Sequence, residues 1–255
     1  MVQSTITDEL VRQDAAFSGN RLLSTFARDA RALIEPFSTV IDLQPGDLLF
    51  DRGDPIAASI FPFGPTMVSL VVDLDSSRSI EVASIGREGA VGGIISCGNV
   101  PAFSRARVNV PGPALKVEME ALEDAKRRSQ FVAHIFCRYS DYLLAQVMQS
   151  VPCNAFHPIA ARAARWLLTA QDRAGDRIEL TQEALSALLG VQRTTINAVI
   201  GQFQDEGLIS SARGVVRVTD RAGIRARACQ CYDALEHHFV QVIGTSGVGG
   251  NADCA

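Results

Sequence analysis

The 255-residue chain lacks several features that would each have settled its class at once. Positive charge is not in excess: 24 Lys and Arg stand against 28 Asp and Glu, a formal net charge of −4. No global positive field therefore draws the chain to a polyanion. Long apolar runs are missing too. The best candidate, residues 131–151, is interrupted by Arg138, Asp141, Gln146 and Gln149. It falls short of the ~18 uninterrupted apolar residues that mark a spanning helix. The first ten residues carry Asp8 and Glu9, with neither a basic cluster nor an apolar run, so a signal peptide is not expected. The expectation is a soluble, cytoplasmic protein with no membrane partner.

Catalytic constellations are also absent. No nucleophile is arranged with a base, and no Gly-rich phosphate loop leads from a strand into a helix, so an enzyme is not expected. The six cysteines, Cys97, Cys137, Cys153, Cys229, Cys231 and Cys254, are scattered in the manner of a reducing compartment rather than a disulfide framework. Cys229-x-Cys231 with His237-His238 would crowd onto one helix, and His134 and His157 are isolated, so the expected metal and cofactor content is none. Cys153 is the redox candidate, against a default of a buried, neutral thiol.

What is present is a change of period along the chain. Residues 1–19 read as a polar, flexible lead-in. Leu22, Leu23, Phe26, Ala30, Leu33 and Ile34 then recur at helical spacing. Between Phe37 and Glu120 come short β-rich runs (residues 40–43, 47–50, 67–74, 79–84, 104–110 and 114–120) separated by Gly/Pro turns, the pattern of a small barrel or roll. Helical spacing resumes with Val132, Ile135, Phe136, Tyr139, Tyr142, Leu143 and Val147. That stripe fits a helix covering the roll and equally a dimer seam, because the 132-135-139-142 steps follow coiled-coil spacing. Pro152 and Pro158 bracket a candidate hinge at residues 153–157. The resulting division is 1–19 lead-in, 20–128 sensor-like roll, 129–157 helix and hinge, 158–240 winged helix domain and 241–255 disordered tail.

The most informative stretch is Leu180 to Asp220. Thr181 is suited to cap a first helix whose buried stripe is Leu185, Leu188 and Leu189. Gly190 supplies the turn, and a second helix buries Ile196, Val199, Ile200 and Phe203 before Gly207 ends it. Helix, Gly-containing turn, helix is the helix-turn-helix plan. An ordinary helical hairpin has the same period, but here the outward face carries Gln192, Arg193, Thr194, Thr195 and Asn197 and no acid, while Asp205 and Glu206 fall at the far end. Such donors suit phosphates and base edges. A wing follows, strand–turn–strand, with Arg213 at its tip and Arg217 on its second strand. Between Pro158 and Ala228, ten arginines face seven acids, so this part is locally basic within an acidic chain.

The run LTQEALSALLGVQRTTIN from Leu180 to Asn197, followed by Glu206-Gly207-Leu208-Ile209 and Arg213-Gly214, resembles the Crp–Fnr superfamily of transcription regulators. Gly86-Arg87-Glu88-Gly89 and Arg227-Ala228-Cys229-Gln230-Cys231-Tyr232 extend the resemblance over residues 20–235. It implies an α+β fold: an N-terminal antiparallel β-roll of the cyclic-nucleotide-binding type, a long dimerisation helix that takes in Val132 to Val147, and a C-terminal winged helix-turn-helix. The implied partners are double-stranded DNA with a palindromic site, a second copy of the chain, RNA polymerase, and a small-molecule effector that the sequence does not name. Arg193 and Thr194 occupy family base-contact positions, whereas Ala198 stands where the cyclic-AMP receptor carries a DNA-contacting arginine. A different site is therefore expected. The alternative is a β-roll signalling or scaffold protein that does not bind DNA specifically.

The effector positions implied by the resemblance are Gly92, Gly93, Ser104 and Arg105. The family's ribose-binding carboxylate is missing at Gly92-Gly93. In the strand 104–110, Ala106, Val108 and Val110 should point inward, which places Arg105 on the opposite face. A buried phosphate would then lack its cation, and cyclic AMP is not the expected effector. The iron–sulfur branch of the superfamily uses an N-terminal Cys cluster, and no cysteine precedes Cys97.

Overall fold

The computed structural model describes residues 2–74, 79–94 and 100–244, with side chains from residue 9 onward. Cys97, Cys254 and residues 245–255 of the expected tail lie outside the described residues. The expected lead-in is instead a helix, α1 (Val2–Gly19). It is anchored by Gln13, whose Nε2 donates to Ser38 O at 2.9 Å, and by Ala16 and Phe17, both buried. Arg12 holds Asp42 through the exposed flank. So narrow an apolar contact leaves most of the helix polar, which is why composition alone reads it as loose.

Asn20 then breaks the continuous helix expected up to Ile34. Its buried Oδ1 accepts from the amides of Leu22 and Leu23, and its Nδ2 donates to Pro62 O and Gly89 O, both at 2.8 Å. A side chain that captures nearby amides competes with helix hydrogen bonding. The result is a string of short turns plus α2 (Arg28–Ala32), still burying Leu22, Leu23, Ala30 and Ile34.

The roll consists of two antiparallel sheets. Strands β1 (Ser38–Leu43), β2 (Leu48–Phe50), β3 (Ala58–Pro62), β4 (Met67–Asp73), β5 (Ser79–Ile85), β6 (Arg105–Val110) and β7 (Gly112–Glu118) pair in the orders β1-β7-β3 and β2-β6-β4-β5. β3 escapes sequence detection because it is only five residues long and ends in Pro62, with Ile60 and Phe61 as its large apolar members. Ala106, Val108 and Val110 are buried as their alternation requires, Ala106 and Val108 among Leu43, Ile60, Val68 and Ile85. Helix α3 (Met119–Arg128) closes the roll, and Ser129 accepts from the Val132 amide to start α4 (Gln130–Phe156).

Two expectations about α4 are corrected. First, Val132, Ile135, Tyr139 and Tyr142 are buried within the chain, packed with Phe61, Leu115 and Leu122 of the roll and with Phe239. They cover the roll and are not a free seam. α4 exposes Phe131 and Phe156 at its two ends and, between them on one face, Leu144, Met148 and Val151, with Ala155 beyond. Second, α4 runs through Pro152 to Phe156, so the chain breaks at His157-Pro158 rather than across residues 153–157. Pro152 keeps its place because proline fixes a φ that suits helix, at the cost of one amide donor.

Beyond the break come α5 (Ile159–Ala174), β8 (Arg177–Glu179), α6 (Gln182–Leu189), α7 (Arg193–Asp205), β9 (Ile209–Ala212), β10 (Val215–Val218), α8 (Arg221–Arg227) and α9 (Cys231–Val242). β8, β10 and β9 form a third antiparallel sheet. Trp166, Leu167, Leu185, Ile196, Ile200, Phe203, Val216 and Ile224 share one core with Met67 and Val110 of the roll. The two halves are thus packed together. Of residues 241–244, placed by expectation in a disordered tail, Gln241 and Val242 complete α9 and Ile243, its C-cap, is buried. The architecture is the expected α+β arrangement of antiparallel roll, long helix and winged helix-turn-helix. No described helix is long and apolar enough to cross a membrane.

Candidate DNA interface

The candidate surface is built from local chemistry. Thr181 Oγ1 accepts from the Ala184 amide at 3.1 Å, capping α6, and Leu185, Leu188 and Leu189 turn inward. Gly190, at φ +65°, sits against Ile80 of β5, a left-handed position where a side chain would be strained. Gln192 caps α7 in extended conformation without a side-chain bond, and no acid occupies the first turn. With Ile196, Val199, Ile200 and Phe203 buried, Gln192, Arg193, Thr194, Thr195 and Asn197 are all exposed. They surround the positive end of the α7 dipole, a natural seat for an anion.

The wing turns at Arg213 (φ +48°) and Gly214 (φ +78°), both left-handed as a two-residue hairpin of the I′ type requires. Among the described residues, Arg213 is the only non-glycine with positive φ. Holding an arginine there costs about 1–2 kcal/mol, so its place at the tip is selected against local strain. Arg217 lies on the outer face of β10, between Val216 and Val218, which face inward. A groove of about 360 Å³ runs between Thr181, Gln182, Glu183, Arg193 and Arg213. Glu183 and Arg193 approach to 4.0 Å, but both are largely exposed and the pair weighs little.

Most of the local arginine excess is spent internally. Arg173 pairs with Glu88, Arg177 with Glu179, Arg221 with Asp172, Arg225 with Asp233 and Arg227 with Glu206. Arg162 is buried and donates to Leu189 O at 2.7 Å. Arg213 and Arg217 form no ion pair among the described residues. The cations left for a partner therefore lie on the wing and at the start of α7.

The four expected effector positions are not brought together by any described contact. Gly92 lies against Ala58 O, and Gly93 against the Met119 thioether, with Lys126 donating to Gly93 O at 2.9 Å. Ser104 is half-buried at the foot of β6. Arg105 faces away from the roll interior and is held by Asp51 at 3.1 Å and Asp73 at 3.3 Å. Its guanidinium draws the Asp51 carboxyl below the usual range, chiefly by hydrogen bonding.

The scattered cysteines converge. The ligand atoms of Cys153, His157, Cys229 and Cys231 all lie within 4.8 Å of one another. A hydrogen bond from Cys229 pulls the Cys153 thiol well below the ordinary thiol range and raises that of Cys229; the positive charge of Arg165 adds to the effect on Cys153. The histidine beside them is His157, expected to be isolated, whereas His238 meets Asp141 at 3.1 Å. The i, i+4 spacing of Cys153 and His157 was a usable signal, but nothing in the sequence ties it to residues 229–231.

Residues 161–227 match the Crp-like helix-turn-helix domain family. The chain is 29% identical over 202 residues to the HTH-type transcriptional regulator Cmr of Mycobacterium tuberculosis, covering 78% of this chain and 80% of that one. Among solved structures it is similar to FixK2 from Bradyrhizobium japonicum (TM-score 0.64, 14% identity, 75% of this chain and 98% of that chain). It is also similar to the c-di-GMP responsive global regulator CLP of Xanthomonas campestris (TM-score 0.60, 16% identity, 75% and 99%). The domain match and the relative point to a helix-turn-helix transcription regulator rather than an enzyme. The chain thus carries a Crp-like helix-turn-helix domain at residues 161–227.

Proposed function

We propose that the chain binds a palindromic duplex site as a homodimer, in the cytoplasm, and regulates transcription from it. The observation that carries this reading is the exposed, acid-free N-terminal face of α7 beside a wing whose two outward arginines are unpaired. Arg193, Thr194 and Asn197 read base edges in the major groove. Gln192, Thr195, Arg213 and Arg217 hold phosphates, which fixes register without reading sequence. The dimer seam is the stripe Leu144, Met148, Val151 and Ala155, whose steps of four, three and four are those of a two-stranded coiled coil. The 20–128 roll is the sensor domain and 158–240 the DNA-binding domain.

The effector is not cyclic AMP. Arg105, the cation that a cyclic phosphate would need, faces outward and is neutralised by two carboxylates. Mobility-shift titrations of the purified chain against a promoter duplex and a scrambled duplex, each at two salt concentrations, test the reading. Equal affinity for the two would leave the scaffold alternative in its place.

A further inference from the structure

We propose that Cys153, His157, Cys229 and Cys231 form a mononuclear zinc site that clasps the end of α4 to the segment joining α8 and α9. Cys153 lies in the last turn of α4, and His157, four residues on, caps that helix, its amide donating to Cys153 O at 3.2 Å. Cys229 follows α8, and Cys231 opens α9. The cluster therefore spans the break at His157-Pro158 from both sides.

The spacing is that of ligands around one small ion. Zinc–sulfur bonds of about 2.3 Å in tetrahedral array put two sulfurs about 3.8 Å apart, and a sulfur and an imidazole nitrogen about 3.6 Å apart. Cys153 Sγ and Cys229 Sγ are 3.7 Å apart, and Cys231 Sγ and His157 Nδ1 are 3.4 Å apart. A disulfide would need about 2.0 Å. An iron–sulfur cluster would spread its thiolates wider, because irons and sulfides lie between them. Three thiols and an imidazole select a soft or borderline cation over calcium or magnesium, and Cys3His is a closed, structural zinc set.

The surroundings fit the same ion. Cys153, Cys229 and Cys231 are buried, yet among the described hydrophobic side chains outside the cluster only Ala161 packs against it, so apolar packing does not account for their convergence. Gln149 Nε2 donates to Cys231 Sγ at 3.1 Å, the kind of outer hydrogen bond that fixes a ligating thiolate. On binding, each cysteine that is still a thiol releases its proton to solvent, three Zn–S bonds form, and neutral His157 gives its Nδ1 lone pair; no electrons are transferred. The loaded site carries one net negative charge. Arg162 and Arg165, whose charges act on Cys153, each keep a buried Nε without a hydrogen-bond partner beside it.

The test uses the full-length chain and does not depend on DNA binding. Protein purified without chelator is assayed for zinc by mass spectrometry, then stripped, reduced and titrated with Co2+ alone. The expected result is one zinc per chain. One equivalent of Co2+ should then give the intense visible bands of a tetrahedral site with thiolate charge transfer, bleached by added Zn2+. Cys229→Ser and His157→Gln should each weaken Co2+ binding by more than about 100-fold, beyond what loss of an outer-shell partner costs. Cys137→Ser, exposed and off the cluster, should leave it unchanged. The proposal is overturned if the reduced wild-type chain gives no thiolate charge-transfer band, or if Cys137→Ser loses as much as Cys229→Ser. A Cys153–Cys229 disulfide in a chain that takes up no metal after reduction overturns it equally.

Discussion

The carboxylate of Glu88 and the guanidinium of Arg173 meet at 2.6 Å, each side chain 7% exposed, joining the turn after β5 to the last turns of α5. Arg173 also donates to Ser84 Oγ at 2.7 Å, and Glu88 accepts from the Gly86 amide. Arg87 Nη2 reaches Asp172 O close by, and Trp166 Nε1 donates to Glu81 of β5. Roll and winged helix are thus coupled through buried polar contacts as well as a shared apolar core.

Breaking that pair should be costly in one direction only. Arg173→Met leaves Glu88 as an uncompensated buried charge, and about 3–5 kcal/mol of stability is expected to go. Glu88→Gln combined with Arg173→Met should recover a large part of the loss. Urea unfolding of the wild type, Glu88→Gln, Arg173→Met and the double variant measures it, and additive losses would show that the pair is not the unit.

Two arginines on the proposed interface should behave differently. Arg193→Ala is expected to cost about 1–3 kcal/mol on the preferred duplex and to relax specificity at one base pair. Arg213→Ala should weaken all duplexes alike and lower the salt slope by about one. Binding isotherms at several salt concentrations separate the two outcomes.

The junction should also respond to pH. Burial raises the Glu81 carboxyl above its usual 4.5, against the opposing hydrogen bond from Ser69. A folded value above the unfolded one means that the neutral acid is favoured in the folded state. Its stabilising contribution is full below pH 4.5 and is lost as pH rises through the folded value. Glu81→Gln mimics the neutral acid, so the variant should gain stability relative to wild type as pH rises over that window. Thermal melts of both chains across the acidic range test this, and a constant difference would remove Glu81 as the titrating group.

The two faces of α4 make opposite predictions. Met148→Glu on the exposed stripe should give a monomer by sedimentation, while the fold loses no more than about 0.5 kcal/mol. Phe136→Ala, on the buried face, should cost about 3–5 kcal/mol whatever the oligomeric state. A dimer that survives Met148→Glu would move the seam elsewhere.

Legibility from the sequence follows the range of the interactions. Thr181, Gly190, Gly207 and the Leu185/Leu188/Leu189 stripe act within a few residues of themselves, and they fold as their local chemistry dictates. The outward placement of Arg105 was legible too, because strand alternation is local. Helix period alone could not say which face of α4 meets the roll. That was decided by Phe61, Leu115 and Leu122 arriving from other elements. α1 was missed because it is pinned mainly by Gln13, Ala16 and Phe17. The thiol cluster was invisible because 76 residues separate Cys153 from Cys229.

The central claim is that the exposed face of α7 reads DNA, and selection from a random duplex pool by the purified full-length chain tests it most directly. Repeated rounds should enrich an inverted repeat with half-sites about one helical turn apart, roughly 34–36 Å. Arg193→Ala should erase that enrichment. A pool that stays unenriched with the wild-type chain, or one that enriches equally with Arg193→Ala, would contradict the account.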